Sequence, residues 1–130
     1  MSLTRRPSIS RALEIDAYEG WLMKKKSGGK SFLGTDTRRW FKVKEMKGLE
    51  VVELGLCYFT SQRDKEARGW VYLKDVVEIY DDEKTFTIVS AARSMTMEAT
   101  TLAEHKFWIQ GLVALCPQAK TTGIRSKFAF

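Results

Sequence analysis

Between residues 18 and 99 the chain is a succession of short runs rich in aromatic and β-branched residues, each too brief to make a helix and each closed by a turn-like segment. The runs fall at residues 18–26, 38–44, 49–54, 56–60, 69–73, 76–80, 85–89 and 94–99. Lys47-Gly48, residues 61–68 and residues 81–84 separate them, and a longer loop carrying Gly28, Gly29 and Gly34 joins the first two. Strands recurring at this interval predict an antiparallel meander that closes, or nearly closes, on itself. Gly55, between two adjacent runs, reads equally as a bulge or a turn.

The period then changes. Thr101 and Glu104 have the spacing of a capping box, and Trp108, Leu112 and Leu115 recur along one face, with Ile109 and Val113 beside it. Pro117 stops this helix. An apolar face so broad must be covered, and the open end of the sheet is the expected place, with Trp108 as the largest plug.

At 130 residues, 44% hydrophobic and 29% charged, the chain fits one soluble domain with short tails. No apolar run approaches the roughly 18 residues a spanning helix needs, and the N-terminus lacks the apolar stretch of a secretory signal. Ser2 stands where N-myristoylation needs glycine, and the last residues include no cysteine to prenylate. The expected location is therefore cytoplasmic, with any membrane contact reversible and peripheral. Cys57 and Cys116, far apart in apolar surroundings, read as core thiols. The single histidine, His105, reads as a helix-surface residue, and the run Asp81-Asp82-Glu83 as a solvated acidic turn without calcium-loop spacing. No metal-ligand spacing, phosphate loop or nucleophile elbow is present, so no catalytic residue, metal or cofactor is expected.

Charge is unevenly placed. The chain carries +6 in all, yet residues 20–44 alone hold eight bases (Lys24, Lys25, Lys26, Lys30, Arg38, Arg39, Lys42, Lys44) against Asp36. The stretch from 45 to 116 is net acidic. Such polarity orients a molecule toward an anionic target. Alternation puts Gly20, Leu22 and Lys24 on one face of the first strand, and Arg39, Phe41 and Val43 on one face of the second, so apolar positions give way to a base on each.

These words resemble those of the pleckstrin homology (PH) family. Gly20-Trp21-Leu22-Met23-Lys24 is similar to the family's first strand, Arg38-Arg39-Trp40-Phe41 to its second and Leu56-Cys57-Tyr58-Phe59 to its third. Residues 64–69 resemble the turn into the fourth strand, most of all in members of the cytohesin type, and Trp108 stands at the family's helix tryptophan. The resemblance implies a mainly β fold: a seven-stranded antiparallel β-barrel or sandwich capped by one C-terminal α-helix. It spans residues 18–116, with 1–17 and 117–130 as tails. It further implies a lipid head-group site built on Lys24, Arg39, Tyr58 and Arg68, to which Lys26 and Lys30 of the loop add charge. Thr37 departs from the pattern, since strong phosphoinositide readers carry a base there, and its neutrality implies weaker discrimination among head groups.

The leading expectation is a non-catalytic, monomeric module recruited to membranes by phosphoinositides or other anionic lipids. Phe32 and Leu33, at the tip of the Gly-rich loop, are candidates to enter the bilayer or to fold back onto the barrel. Arg5-Arg6-Pro7-Ser8 has the look of a basophilic kinase site. The alternative is a protein-interaction PH domain with little lipid specificity. Nucleic-acid binding is disfavoured, because the strand aromatics alternate as core residues do and no recognition signature is present.

Overall fold

The computed structural model describes residues 15, 17–25, 36–47 and 51–123. Among the described residues eight strands form one antiparallel ladder extended by a parallel last member: β1 (Glu19–Lys24), β2 (Thr37–Lys47), β3 (Val52–Phe59), β4 (Gly69–Tyr72), β5 (Val76–Asp82), β6 (Thr85–Ser90), β7 (Ser94–Glu98) and β8 (Lys120–Thr122). Their order is β4-β3-β2-β1-β7-β6-β5-β8. The helix α1 (Leu102–Leu115) precedes β8. The mainly β architecture with a C-terminal helix is the one expected, with an eighth strand added and the ladder open at its edges.

Alternation does the sorting. Leu22 of β1, Phe41 and Val43 of β2, and Leu56 of β3 are buried, and the register aligns them: Gly20 opposes Phe41, Phe41 opposes Tyr58, and Val43 opposes Leu56. Gly55 is neither bulge nor turn; β3 runs through it in unbroken register, opposite Lys44 on one side and Tyr72 on the other. The Met46 sulfur occupies the place a side chain at Gly55 would need. The two runs on either side of it are therefore one strand.

α1 closes the core. Its first turn is capped by Thr101, whose Oγ1 accepts from the Glu104 N–H at 3.1 Å. Trp108, Ile109 and Leu112 are buried against the interior, where each buried Leu or Ile contributes about 1.5–3 kcal/mol. Tyr18 lies along the helix, its ring 4.7 Å from that of Phe107, and Gly111 is required there because a Cβ would enter the Tyr18 ring. Ile15 is also in the core, so packing begins ahead of β1.

Two expectations are corrected. His105 is not on the helix surface: it is 3% exposed, and its Nε2 stands 2.8 Å from Asp81 Oδ1. Asp81, in turn, is not part of a solvated turn. β5 continues to Asp82, and its alternation turns Ile79 and Asp81 inward while Asp82 stays exposed. The buried carboxylate is tolerated because its Oδ1 meets both the His105 ring and the Glu83 N–H, the latter at 3.0 Å.

β8 lies in the segment expected to be a tail. It pairs parallel to β5, Glu78 with Lys120 through Tyr80 with Thr122. Just before it the Gln118 amide donates to the carbonyls of Leu73 and Val76, both at 2.9 Å, and so fastens the end of the chain to the 3-10 turn Leu73–Asp75. Three residues are too few to show a period in sequence. Among the described residues no helix is long and apolar enough to cross a membrane.

Candidate functional site

The register brings the β1–β2, β3–β4 and β6–β7 connections to one end of the sheet, since Lys24 opposes both Thr37 and Met97, and Tyr58 opposes Gly69. At this end the inward faces stop being apolar. Leu22 opposes Arg39, and one step further Lys24 opposes Thr37. The buried side chains of Phe41 and Tyr58, ring centres 5.6 Å apart, make the floor beneath them.

Lys24 reaches back over that floor, its Nζ 5.1 Å from the centre of the Tyr58 ring. Arg39 is half-buried beside it. Arg68 returns to the same place by its backbone, its N–H donating to the Tyr58 carbonyl at 2.8 Å, and its side chain is exposed. The Tyr58 ring lies across Gly69, where a Cβ would strike the hydroxyl end. Sequence thus led to four residues, Lys24, Arg39, Tyr58 and Arg68, that the fold gathers at one mouth. The other named candidates, Lys26, Lys30, Phe32 and Leu33, lie outside the described residues, as does Ser8.

Among the described residues none of Lys24, Arg39 and Arg68 has a carboxylate partner, in contrast to Lys25 and Lys42. Lys25 faces the other way, bridging Asp36 at 3.0 Å and Glu98 at 2.7 Å. Those two hydrogen bonds, Glu98's the larger, raise its pKa. Arg38 stacks on Trp21 at 4.5 Å, and Lys42 lies 3.9 Å from Glu19. Among the described residues, strand alternation therefore divides the concentrated charge into an inward group without an ion pair and an outward group in which Lys25 and Lys42 have acidic partners.

A residue the sequence did not single out joins the mouth. Arg93, on the β6–β7 turn, has its guanidinium carbon 5.9 Å from the centre of the Tyr58 ring and Nη1 3.4 Å from the Tyr58 hydroxyl. Arg93 lies thirty-five residues from Tyr58, in a stretch of acidic net charge, so only the strand order brings it here. The two thiols are chemically quiet, as expected of core residues: burial pushes the pKa of Cys57 up to about 11 and that of Cys116 up to about 12.

A family model of the PH domain matches residues 17–117. The chain belongs to the PH domain family. No curated protein sequence matches it at a significant level. Solved PH domains do match in structure. The PH domain of human TBC1 domain family member 2 superposes with a TM-score of 0.59 at 23% identity, covering 77% of this chain and 80% of that one. The N-terminal PH domain of human ARAP2 gives 0.55 at 20% identity, covering 85% and 81%. The C-terminal PH domain of pleckstrin, solved in complex with D-myo-Ins(1,2,3,4,5)P5, gives 0.57 at 21% identity, covering 75% and 94%. At such identities the likeness speaks for the fold. PH domains are in general non-catalytic modules for binding lipids or proteins.

Proposed function

We propose that this PH domain is a non-catalytic, monomeric module that docks reversibly on cytoplasmic membrane surfaces by holding anionic head groups, phosphoinositides foremost. One observation carries the reading. Lys24 and Arg39 stand on inward strand faces at the open mouth, above Tyr58 and beside Arg68, with no carboxylate among the described residues to neutralise them. Unpaired cations over an apolar floor suit a compact polyanion. Lys24 supplies a point charge, Arg39 and Arg68 supply planar forks for phosphate oxygens, and Tyr58 supplies a neutral hydroxyl. Each base brought to an anionic surface contributes about 1 kcal/mol, enough in sum for reversible docking. A pleckstrin domain of the same fold holds an inositol phosphate, which is consistent with this chemistry.

Lys26 and Lys30 extend the positive charge into the β1–β2 loop, and Phe32 and Leu33 enter the bilayer beside the head group. The Phe32→Ser/Leu33→Ser double variant tests this last part, since it should weaken vesicle binding and leave a soluble inositol phosphate unaffected. Equal loss in both assays rejects insertion.

Co-sedimentation with liposomes carrying single phosphoinositides, phosphatidylserine or phosphatidic acid, at two salt concentrations, tests the whole reading. Docking on anionic liposomes that weakens with salt is expected. Absence of sedimentation with every lipid favours the second reading, a protein partner. That reading has its own support in the outward face of β1–β4, where Trp70 is 43% exposed and Trp21 and Trp40 meet edge to face at 5.4 Å.

A further inference from the structure

β1 is filled along one edge and open along most of the other. Against β2 it pairs from Glu19 with Lys42 to Lys24 with Thr37; against β7 it pairs only at Met23 with Glu98 and Lys24 with Met97. One hydrogen bond beyond the end of each ladder fixes which residues turn to which edge. The Val43 N–H donates to the Tyr18 carbonyl, so Tyr18, Gly20, Leu22 and Lys24 turn their backbone groups toward β2. The Lys25 N–H donates to the Thr96 carbonyl, so Lys25 and Met23 turn theirs toward β7. Trp21 is next in that series, and its partner would be Thr100. But β7 ends at Glu98 and the chain leaves for α1, and among the described residues no backbone bond joins Trp21 to Ala99 or Thr100.

The N–H and C=O of Trp21 therefore face a groove of about 370 Å³, walled by Trp21 and Met23 on one side and by Ala99 and Thr100 on the other. Its size is that of a binding pocket, for which about 300–1,000 Å³ is usual. Lys25, held by Asp36 at 3.0 Å and Glu98 at 2.7 Å, closes the end next to β7. Arg38 lines the same groove with its guanidinium 4.5 Å from the centre of the Trp21 ring, and it is in no ion pair among the described residues. The site thus offers an unused strand edge, an aromatic wall and one cation without a counter-charge.

We propose that this groove takes an extended segment of a partner protein, added antiparallel to β1 in the line that β7 leaves, with an acidic residue opposite Trp21 and an apolar residue on either side of it. The acidic residue exchanges both backbone bonds with Trp21, and its carboxylate, on the outward face, meets the planar fork of Arg38. Its neighbours turn to the inner face, where Leu22 is buried and a Cβ at Gly20 would meet nothing within 4 Å. Main-chain bonds then give affinity and alternate side chains give specificity. Charge argues for a partner rather than a segment of this chain. Residues 1–14 hold Arg5, Arg6 and Arg11 against Glu14, residues 26–35 hold Lys26 and Lys30, and residues 124–130 hold Arg125 and Lys127, the last two stretches with no acidic side chain. Trp21 and Arg38 face away from Lys24 and Arg39, so the assignment stands or falls apart from the head-group reading.

Selection of random seven-residue peptides displayed on phage against the full chain, followed by NMR of the protein with the selected peptide in capped synthetic form, tests the assignment. An acidic residue between two apolar ones is the expected selection. The bound peptide should shift the amide resonances of Trp21 and Thr100 and slow hydrogen exchange at the Trp21 N–H. Arg38→Ala should weaken the peptide by about tenfold or more, the loss expected of a charge-assisted hydrogen bond, and exchanging the peptide's acid for its amide should cost as much on the parent and little more on Arg38→Ala. N-methylation of the acidic residue keeps its charge and removes its strand N–H, and should weaken binding as well. A selection without an acidic consensus, a peptide that leaves Trp21 exchange unchanged, or equal affinity for the parent and Arg38→Ala overturns the proposal. Protection of the Trp21 N–H by soluble inositol trisphosphate or by phosphatidylserine vesicles, and not by the peptide, assigns the groove to head groups and overturns it too. A chain that binds the peptide as expected and no anionic lipid bears out this site and overturns the head-group reading alone.

Discussion

Lys24 and Lys25 are adjacent in sequence and opposite in role: Lys24 Nζ stands 5.1 Å from the centre of the Tyr58 ring, while Lys25 Nζ lies 2.7 Å from Glu98 and 3.0 Å from Asp36. Successive side chains of a strand point to opposite faces, so the division follows from the pleat alone. It separates two models of docking, one by a built site and one by summed charge. Lys24→Ala and Lys25→Ala each remove one positive charge from neighbouring positions. The first should greatly weaken binding to phosphoinositide liposomes with little change in thermal midpoint. The second should leave binding within about twofold and lower stability by about 0.5–1 kcal/mol, the usual scale for exposed ion pairs. Arg39→Ala should resemble Lys24→Ala. Equal loss of binding from both lysine variants would mean that no site exists beyond net charge.

The Lys25 network also has a pH signature. Its hydrogen bonds to Glu98 and then Asp36 raise the lysine's pKa above its ordinary value of 10.5 in the folded protein. A cation stabilised by folding gives its full contribution below the unfolded-state pKa and loses it as pH rises through the folded one. The difference in unfolding free energy between the parent and Lys25→Ala should therefore be flat through the neutral range and shrink only above the ordinary lysine value. Denaturant titrations across the alkaline range check this, and a difference that vanishes already at neutral pH contradicts it.

Gly69 has a consequence for the ligand. A Cβ there would meet the Tyr58 hydroxyl and the ring carbons next to it, and the ring is packed against Phe41. Gly69→Ala should shift the ring and with it the surface on which Lys24 and Arg93 rest. Overpacking of this kind costs about 1–3 kcal/mol. The expected result is weaker binding of inositol phosphate by the folded fraction, measured by titration below the unfolding transition, together with a lowered midpoint. Loss of stability with unchanged affinity would show that Tyr58 has no part in the site.

Much of this site was legible because β1 and β2 have a strict period. Leu22 and Phe41 fixed which face is interior, and the same parity carried Lys24 and Arg39 to the mouth. The parity that made Lys24 inward made Lys25 and Arg38 outward, so the division of the basic segment was also latent in the sequence. Arg93 was not legible, because it is a lone base in a short turn and its position depends on β7 pairing with β1, a strand distant in sequence, as well as with β6. The same holds for His105 and Asp81, twenty-four residues apart, whose contact exists only once the helix has docked on β5. β8 escaped because Lys120-Thr121-Thr122 is shorter than any pattern that could announce it.

The buried His105–Asp81 pair should matter to stability and not to binding. Asp81→Leu removes the acceptor of both the His105 ring and the Glu83 N–H. A buried donor left without a partner costs about 1–3 kcal/mol, and replacing both partners with apolar residues is often nearly neutral. Asp81→Leu should therefore be clearly destabilised in urea, and Asp81→Leu/His105→Leu less so. Head-group affinity of the folded protein should be unchanged in both. A double variant no more stable than the single one would show that the pair contributes little beyond its separate contacts.

Thr37 faces Lys24 directly across the β1–β2 ladder, which makes Thr37→Lys informative in two directions at once. Like charges directly opposite in a sheet are destabilising, on the scale of about 0.2–1 kcal/mol for a cross-strand pair, so the variant should unfold at a lower midpoint in the absence of ligand. An anion held between the Lys24 ammonium and the introduced one would be favoured by the very repulsion it relieves. Affinity for soluble inositol trisphosphate should then rise, and the midpoint should be raised by saturating ligand more than in the parent, since a ligand that binds only the folded state stabilises it according to its affinity. The gain should be larger for trisphosphate than for phosphatidylserine vesicles, and smaller at high salt. An equal rise for trisphosphate and phosphatidylserine would mean that the added lysine acts as undirected surface charge, and that the mouth of this PH domain does not place its phosphates.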